Sequence, residues 1–383
     1  MSKTLFVPKE TAEAETRVAA SPDTVKKLKA LGFDVVVESG AGLASRIDDE
    51  AYRAAGAEIA GPEAAANADV LFCVRRPGED AYSGYKNGAV VIAIMDPYGH
   101  EDVLSAMAGK GISTFAMELM PRITRAQSMD VLSSQANLAG YQAVIEAAAV
   151  FDRAMPMMMT AAGTVPAARV FVMGAGVAGL QAIATARRLG AVVSATDVRP
   201  AAKEQVASLG AKFIAVEDDE FKAAETAGGY AKEMSAEYQA KQAELVAAHI
   251  AKQDIVITTA LIPGRPAPRL VSRAMLSAMK FGSVAVDLAV ERGGNIEGVV
   301  AGEVAEVEGV NVIGHENMAG RIAASASALY AKNLLTFFET LVDKESGELK
   351  INRDDELVAA TLLTHGGALV HPKFGGQTAQ GEA

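Results

Sequence analysis

The sequence has one cysteine and few histidines, and both shortages exclude kinds of chemistry. Cys73 is the single cysteine among 383 residues, which excludes an internal disulfide and a thiolate metal cluster and is typical of a reducing cytoplasm. The five histidines form no pair with metal-ligand spacing, and none lies in a nucleophile motif. We therefore expect no metal site.

The sequence also lacks an apolar run long enough for a membrane-spanning helix. The richest stretch, residues 138–159, is interrupted by Glu146, Asp152, Arg153 and Pro156. The first ten residues lack the apolar core of a signal peptide. We expect a cytoplasmic protein that inserts no segment of its own into a bilayer.

The chain has fewer basic than acidic residues. Its 36 lysines and arginines and 47 acidic residues give a net charge of -11, which argues against nucleic acid or an anionic membrane surface as the main partner. The 50% hydrophobic and 22% charged content is typical of a folded domain. The length predicts two to three domains.

A dinucleotide-binding pattern occupies the middle of the chain. An apolar run predicts a strand at Val170–Met173, and the turn GAGVAG follows at residues 174–179. The turn opens a helical pattern at Leu180–Leu189, and a second apolar strand at Ala191–Ala195 leads to Asp197. The acid lies about 20 residues past the glycines, as the fingerprint requires.

Each residue of this pattern has a physical role. Gly174 permits the tight turn, Gly176 lets a pyrophosphate approach the backbone at a helix N-terminus, and Gly179 lets the helix pack on the strand. Asp197 would accept hydrogen bonds from ribose hydroxyls and repel a 2′-phosphate, so NAD(H) is favoured over NADP(H). Arg199 weakens that preference, because an arginine beside the acid could pair with a 2′-phosphate.

Strand and helix patterns alternate on both sides of the glycine turn, which predicts parallel sheets with crossover helices. Long helical patterns at residues 130–151 and 318–341 connect the two halves. We predict an α/β fold with two doubly wound Rossmann-like lobes, separated by a cleft and linked by long helices. The first lobe comprises residues 1–135 and 325–383, and the dinucleotide-binding lobe comprises residues 136–324.

Two polar segments remain ambiguous on composition. The run PRITRAQSMDVLSSQ, at residues 121–135, could hold a carboxamide and a pyridinium ring, or it could be a helix cap with solvated charges, with Asp130 or Ser128 as the cap. The Gly228-Gly229-Tyr230 segment, inside a charged helical region, could be a mobile lid or part of a pair of surface helices.

Five runs of sequence resemble the NAD(H)-binding domain of proton-translocating NAD(P) transhydrogenases, most closely the form that is a separate soluble subunit. They are MELMPRITRAQSMDVLSSQANLAGYQAV at 117–144, MMMTAAGTVPAARVFVMGAGVAGLQAIATARRLGA at 157–191, ATDVR at 195–199, AETAGGYAKEM at 224–234 and ITTALIPGRPAP at 257–268. The similarity extends over nearly the whole chain.

The resemblance implies a function and partners. NADH bound here would pass hydride to NADP⁺ on a partner subunit, and membrane-spanning subunits would couple this transfer to proton translocation. We accordingly expect a homodimer that is held at the inner face of the cytoplasmic membrane through its partners. On its own it is expected to bind NADH but turn over little.

The resemblance also assigns residues. The nicotinamide-contacting loop of the family matches Arg122, Gln127, Asp130 and Ser133, which are the predicted catalytic residues. Its mobile-loop tyrosine matches Tyr230, in a loop near residues 221–240. The predicted cofactor-binding residues are Gly174, Ala175, Gly176, Val177, Ala178, Gly179, Asp197, Val198, Arg199, Tyr230, Thr259, Ala260 and Leu261.

Direct hydride transfer between two nicotinamide rings releases no proton from a substrate, so it needs no general base. This fits a sequence in which no acid/base motif stands out. The alternative is an enzyme similar to alanine dehydrogenase, which needs a lysine and a histidine. The corresponding stretches, residues 73–77 and 95–97, contain neither, although His100 lies nearby. A non-catalytic NAD(H) sensor is a third possibility, and it would not need the polar loop.

Overall fold

The computed structural model describes residues 3–222, 234–343 and 346–375. Contacts divide the chain into two compact units, the first formed by residues up to 135 and from 320 on, the second by residues 136–319. Each unit is an α/β sheet structure. The centre of the predicted mobile loop, with Tyr230, lies outside the described residues.

The part of the first unit before residue 135 alternates strands with helices. Its strands are β1 (Lys3–Val7), β2 (Phe33–Glu38), β3 (Glu58–Ala60), β4 (Val70–Arg75), β5 (Val90–Ile94) and β6 (Ser113–Ala116). Its α-helices are α1 (Pro22–Ala30), α2 (Asp49–Ala54), α3 (Glu79–Tyr82) and α4 (Glu101–Gly109), with 3-10 helices at Leu43–Ser45, Pro62–Asn67, Met117–Leu119 and Thr124–Met129. Helix α5 (Val131–Val150) then continues into the second unit.

The second unit carries the glycine turn between its third strand and its first complete helix. Its strands are β7 (Met158–Thr160), β8 (Gly163–Val165), β9 (Arg169–Met173), β10 (Val192–Thr196), β11 (Lys212–Phe213), β12 (Ile255–Thr258), β13 (Val284–Asp287), β14 (Val304–Val307) and β15 (Val310–Ile313). Its α-helices are α6 (Val177–Arg188), α7 (Ala202–Ser208), α8 (Asp219–Lys222), α9 (Ala236–Ile250) and α10 (Arg273–Ser277), with a 3-10 helix at Val290–Arg292.

The chain returns to the first unit near residue 320. A 3-10 turn at Met318–Ile322 leads into α11 (Ala323–Phe338), which is followed by α12 (Glu356–Thr361), β16 (Leu362–His365) and β17 (Ala368–Leu369). Within the described ranges, no helix combines the length and apolar character that crossing a membrane requires.

The sheet of the first unit has the strand order β17-β16-β6-β5-β4-β1-β2-β3. Strands β1 to β6 are parallel, and β16 and β17 add an antiparallel edge. Both faces are covered. Phe72 packs edge-on against Phe338 of α11, with ring centroids 5.2 Å apart, and its neighbour Cys73 joins the opposite core with Met107 of α4.

The sheet of the second unit repeats this plan, with the order β11-β10-β9-β12-β13-β15-β14 and only β14 antiparallel. Val172 faces the core beneath Ile183 of α6, and Phe171 faces the core on the other side with Ile250 of α9. The strand order reverses between β9 and β12, and the carboxyl ends of strands at such a switch point are where open α/β sheets bind ligands. The predicted doubly wound α/β class is confirmed.

Helices α5 and α6 cross at a glycine. A β-carbon at Gly140 of α5 would lie 2.0 Å from the carbonyl oxygen of Ala178 at the start of α6. No L side chain fits this distance, so Gly140 sets how closely the two helices approach within the second unit.

We expect Gly140→Ala to lower the free energy of unfolding by about 1–3 kcal/mol, because the added methyl group overpacks the crossing. Denaturant unfolding measures the change. Gly109→Ala is the matched control, since position 109 is also helical but a β-carbon there meets nothing within 4 Å. The control should be neutral or stabilising by up to about 1 kcal/mol. Equal effects of the two substitutions would contradict this account of the crossing.

Candidate functional site

The glycine turn lies at the carboxyl end of β9 and leads directly into α6. Gly174 has φ +107°, which favours glycine, and a β-carbon at Gly179 would lie 1.8 Å from the Gly174 carbonyl oxygen. Gly176 is exposed, a β-carbon there would meet nothing within 4 Å, and the helix that starts after it has no side-chain cap. The turn therefore presents an open helix N-terminus, which suits a bound anion.

Asp197 follows β10 and is tied to the glycine turn. Its Oδ2 accepts a hydrogen bond from the Ala175 N–H at 2.7 Å. Arg199 donates to the same carboxylate from Nε at 2.9 Å and from a terminal nitrogen at 3.0 Å. Burial alone would raise the pKa of Asp197, but the bonds from Arg199 and from Ala175 outweigh it and hold this pKa below its usual value.

This arrangement refines the prediction for the acid. The sequence presents Asp197 as a free acceptor, whereas in the structure a two-pronged ion pair with Arg199 largely neutralises its charge. Arg199 is only partly exposed, and the pairing raises its pKa further. While the pair lasts, Arg199 is withheld from any phosphate.

Thr259 completes the site from the end of β12. Its N–H donates to the Met173 carbonyl at 3.0 Å, and its Oγ1 lies 3.2 Å from the Gly174 carbonyl oxygen, to which it donates. The next residue, Ala260, donates its N–H to Asn295 Oδ1 at 3.1 Å. The structure thus brings together the predicted residues that follow β9, β10 and β12.

Exposed apolar side chains lie on these same three segments. Val177 is 41% exposed, Val198 66%, Leu261 53% and Ile262 45%, which is high for residues that follow buried strands or open a buried helix. Backbone donors at the turn and apolar side chains beside it form the mixed surface that a nucleotide requires.

The predicted polar loop lies in the first unit, on the 3-10 helix Thr124–Met129, which is anchored by buried Ala126 and Met129. Asp130 accepts from the Ser133 N–H at 2.9 Å and from its hydroxyl, so it caps the start of α5, as one of the two interpretations requires. Arg122 and Gln127 are exposed, and their side chains bond to no other described residue.

The loop is also held from behind by α11. Asn333 donates to the Ser128 carbonyl at 2.8 Å and accepts from the Ser134 hydroxyl at 2.7 Å. Arg125, on the same turn, forms an ion pair with Asp355. The loop is thus held in place by these contacts, while the side chains of Arg122 and Gln127 bond to no other residue in the described part of the chain.

In residues 73–77 and 95–100, where an amino-acid dehydrogenase would carry its lysine and histidine, the polar side chains are hydrogen-bonded to other groups of the protein. Arg75 donates to Glu15 at 2.8 Å, and Arg76 donates to the carbonyls of Met95 and Asp96 at 2.7 and 2.9 Å. The ring of His100 lies 2.8 Å from the Asp96 carbonyl through Nδ1. Among the described residues, no group of three or more histidine, cysteine or acidic side chains is placed to hold a metal ion.

A Rossmann-order sheet with a glycine turn, an uncapped helix and an acid at its switch point defines a dinucleotide-binding protein. Comparison with known families makes this specific. Residues 6–139 match the family described as Alanine dehydrogenase/PNT, N-terminal domain, and residues 143–372 match Alanine dehydrogenase/PNT, C-terminal domain. The chain belongs to this family.

Individual relatives place it further within the family. It is 56% identical over 382 residues to the Rhodospirillum rubrum protein named as the first part of NAD(P) transhydrogenase subunit alpha, covering 98% of this chain and 100% of the relative. The crystal structure of transhydrogenase from Sinorhizobium meliloti is 70% identical, covers 96% of this chain and 100% of that one, and superposes with a TM-score of 0.88. Alanine dehydrogenase 1 of Staphylococcus aureus is 28% identical over 375 residues, covering 94% and 93%. The resemblance to transhydrogenases is confirmed.

The ion pair at Asp197 generates a prediction about dinucleotide preference. Asp197→Ala should weaken NADH binding and release Arg199, which can then pair with a 2′-phosphate, so the preference should move toward NADPH by about tenfold. Titration calorimetry with both dinucleotides measures the shift. The double variant Asp197→Ala/Arg199→Ala should lose the NADPH gain, and an unchanged preference in the single variant would contradict the role given to the pair.

Proposed function

We propose that this chain is the NAD(H)-binding subunit of a proton-translocating NAD(P) transhydrogenase. NADH bound at the glycine turn supplies hydride to NADP⁺ held on a partner subunit, and a membrane-spanning subunit couples the transfer to proton translocation. The observation that carries the proposal is the 56% identity to the Rhodospirillum rubrum transhydrogenase subunit, over 98% of this chain and 100% of that relative.

The geometry of the second unit fits the adenosine and pyrophosphate half of NAD(H). The open space at Gly176 and the uncapped N-terminus of α6 suit the pyrophosphate. Asp197 would accept from the ribose hydroxyls, which would compete with Arg199 for its carboxylate oxygens. The exposed side chains of Val198 and Leu261 offer an apolar surface to the adenine.

We assign the nicotinamide end to the polar loop of the first unit, as the family resemblance implies. Arg122 would donate to the carboxamide oxygen and Gln127 would donate to or accept from the carboxamide, while Ser133 keeps the loop fixed by donating two hydrogen bonds to Asp130. These residues hold and orient a ring. They need not move a proton, because hydride passes directly from one ring to the other, and positioning alone supplies a large part of such catalysis. Tyr230 lies outside the described residues, and its contact with the bound dinucleotide is proposed from the family resemblance alone.

Alanine dehydrogenase activity is not favoured. The chain has no lysine in residues 73–77 and no histidine in 95–97, and the arginines there are bonded to protein groups. At 28% identity the dehydrogenase is also a more distant relative than the transhydrogenase subunit.

The proposal includes a homodimer placed at the inner face of the cytoplasmic membrane by its partners. Support for self-association comes from the hairpin β7–β8, a separate two-stranded sheet with every residue exposed. Met157 is 62% exposed and Met159 75%, and methionine-rich exposed surface is typical of protein interfaces. Sedimentation at the mass of a single chain would contradict the dimer.

Mixing the purified chain with the NADP(H)-binding domain of a transhydrogenase tests the function. We expect NADH-dependent reduction of an NADP⁺ analogue with the partner and almost none without it, followed by absorbance. Pyruvate with ammonia is the comparison substrate. Oxidation of NADH by pyruvate and ammonia in the absence of the partner would overturn the proposal in favour of a dehydrogenase.

Variants of the polar loop test its role in the reaction. Arg122→Ala and Gln127→Ala should each slow hydride transfer by about tenfold or more, equivalent to about 1.4 kcal/mol, with a much smaller change in NADH affinity. Arg125→Ala is the matched control, because Arg125 lies on the same turn but is paired with Asp355. A rate equal to wild type in both test variants would remove the loop from the mechanism.

A further inference from the structure

Asn295 is a fully buried residue in the turn after β13, and no motif draws attention to it. Its side-chain oxygen accepts from the Ala260 N–H at 3.1 Å, and its side-chain nitrogen donates to the carbonyls of Ala260 at 2.9 Å and Pro268 at 2.8 Å. Its own backbone carbonyl accepts from the N–H groups of Leu270 and Val271. One residue therefore holds both ends of the segment 260–271.

The bonds to Ala260 replace a missing strand partner. Strand β12 ends at Thr258, where its neighbour β13 ends opposite at Asp287, so the sheet supplies no partner for Ala260. The amide of Asn295 bonds both the N–H and the carbonyl of Ala260, as an adjacent strand would. The direction in which the chain leaves β12 is thereby fixed.

Asp287 secures the turn that carries Asn295. This carboxylate is fully buried and accepts from the N–H groups of Ala289 and Ile296, both at 2.8 Å. Gly294 has φ +79°, and a β-carbon there would lie 2.8 Å from the Asp287 carboxylate, so the turn is tightly wrapped around the acid. The hydrogen bonds of Asp287 and the tight turn at Gly294 thus hold the backbone of Asn295 in place.

The segment that Asn295 holds borders the glycine turn. Thr259, next to Ala260, donates from Oγ1 to the Gly174 carbonyl, and Leu261, on the other side of Ala260, is exposed. We infer that Asn295 is a positioning residue for the dinucleotide: it fixes Ala260 so that Thr259 and Leu261 are already in place beside the pyrophosphate and adenosine. Order that exists before binding lowers the entropic cost of binding.

The inference rests on the proposed binding of NADH at the glycine turn, and Asn295→Asp tests it. The substitution keeps the size and the acceptor for Ala260, but it removes both N–H donors and places a carboxylate against two carbonyl oxygens. We expect the Kd for NADH to rise by about tenfold in titration calorimetry. The Kd for ADP-ribose should rise by the same factor, because it carries the adenosine and pyrophosphate but no nicotinamide.

Asp254→Asn is the matched control. Asp254 is also buried, at the amino end of β12, and accepts from the Arg169 N–H at 2.9 Å and from Lys280 at 2.8 Å. Its substitution should lower the melting temperature and leave both Kd values within about twofold of wild type. If the two variants weaken binding equally, Asn295 acts through stability alone and the inference is overturned.

Asn295→Ser, which introduces no charge, is the second variant, and it should raise both Kd values in the same direction. Binding equal to wild type in the Asn295 variants would overturn the inference and leave the proposed function intact. Failure of the wild-type chain to bind NADH would overturn the proposed function itself, so the two failures are distinguishable.

Discussion

The close packing of Gly179 against the Gly174 carbonyl is the constraint on which the site depends. A β-carbon at Gly179 would lie 1.8 Å from this oxygen, so only a hydrogen atom fits there and the first turn of α6 lies directly on the end of β9. The same short turn receives the other two segments, since Asp197 is bonded to the Ala175 N–H and Thr259 is bonded to the Gly174 carbonyl. A side chain at position 179 would displace α6. The segments that carry Asp197 and Thr259 would then no longer fit against the glycine turn.

The fold could be predicted where burial is continuous. The central strands are largely apolar runs that are covered on both faces, so the strands predicted at residues 170–173 and 191–195 agree with β9 and β10 to within one residue at each end. The edge strands β3, β11 and β14 are short and partly exposed, and they leave no such signal. The antiparallel addition of β16 to β6 joins segments about 250 residues apart, which no local pattern encodes.

The candidate site likewise has parts that the sequence predicts and parts that only the structure shows. The glycine turn and Asp197 are recognisable because turn, helix and acid are close in sequence and each has a local physical requirement. The pairing of Arg199 with Asp197 depends on side-chain geometry, and the bonds from Asn295 to Ala260 join residues 35 positions apart. Composition also could not decide between the two interpretations of the polar loop, because each describes part of it. Asp130 is a helix cap, whereas the side chains of Arg122 and Gln127 are exposed and bond to no other described residue. Their role at the nicotinamide stays a prediction.

Both sheets end in very short strands. The outermost strands are β17 and β3 in one sheet and β11 and β14 in the other, and none exceeds four residues. A short edge exposes few unpaired N–H and carbonyl groups, so it is a poor template for another chain. The central strands can therefore be almost wholly apolar without making the folded protein prone to edge-to-edge aggregation.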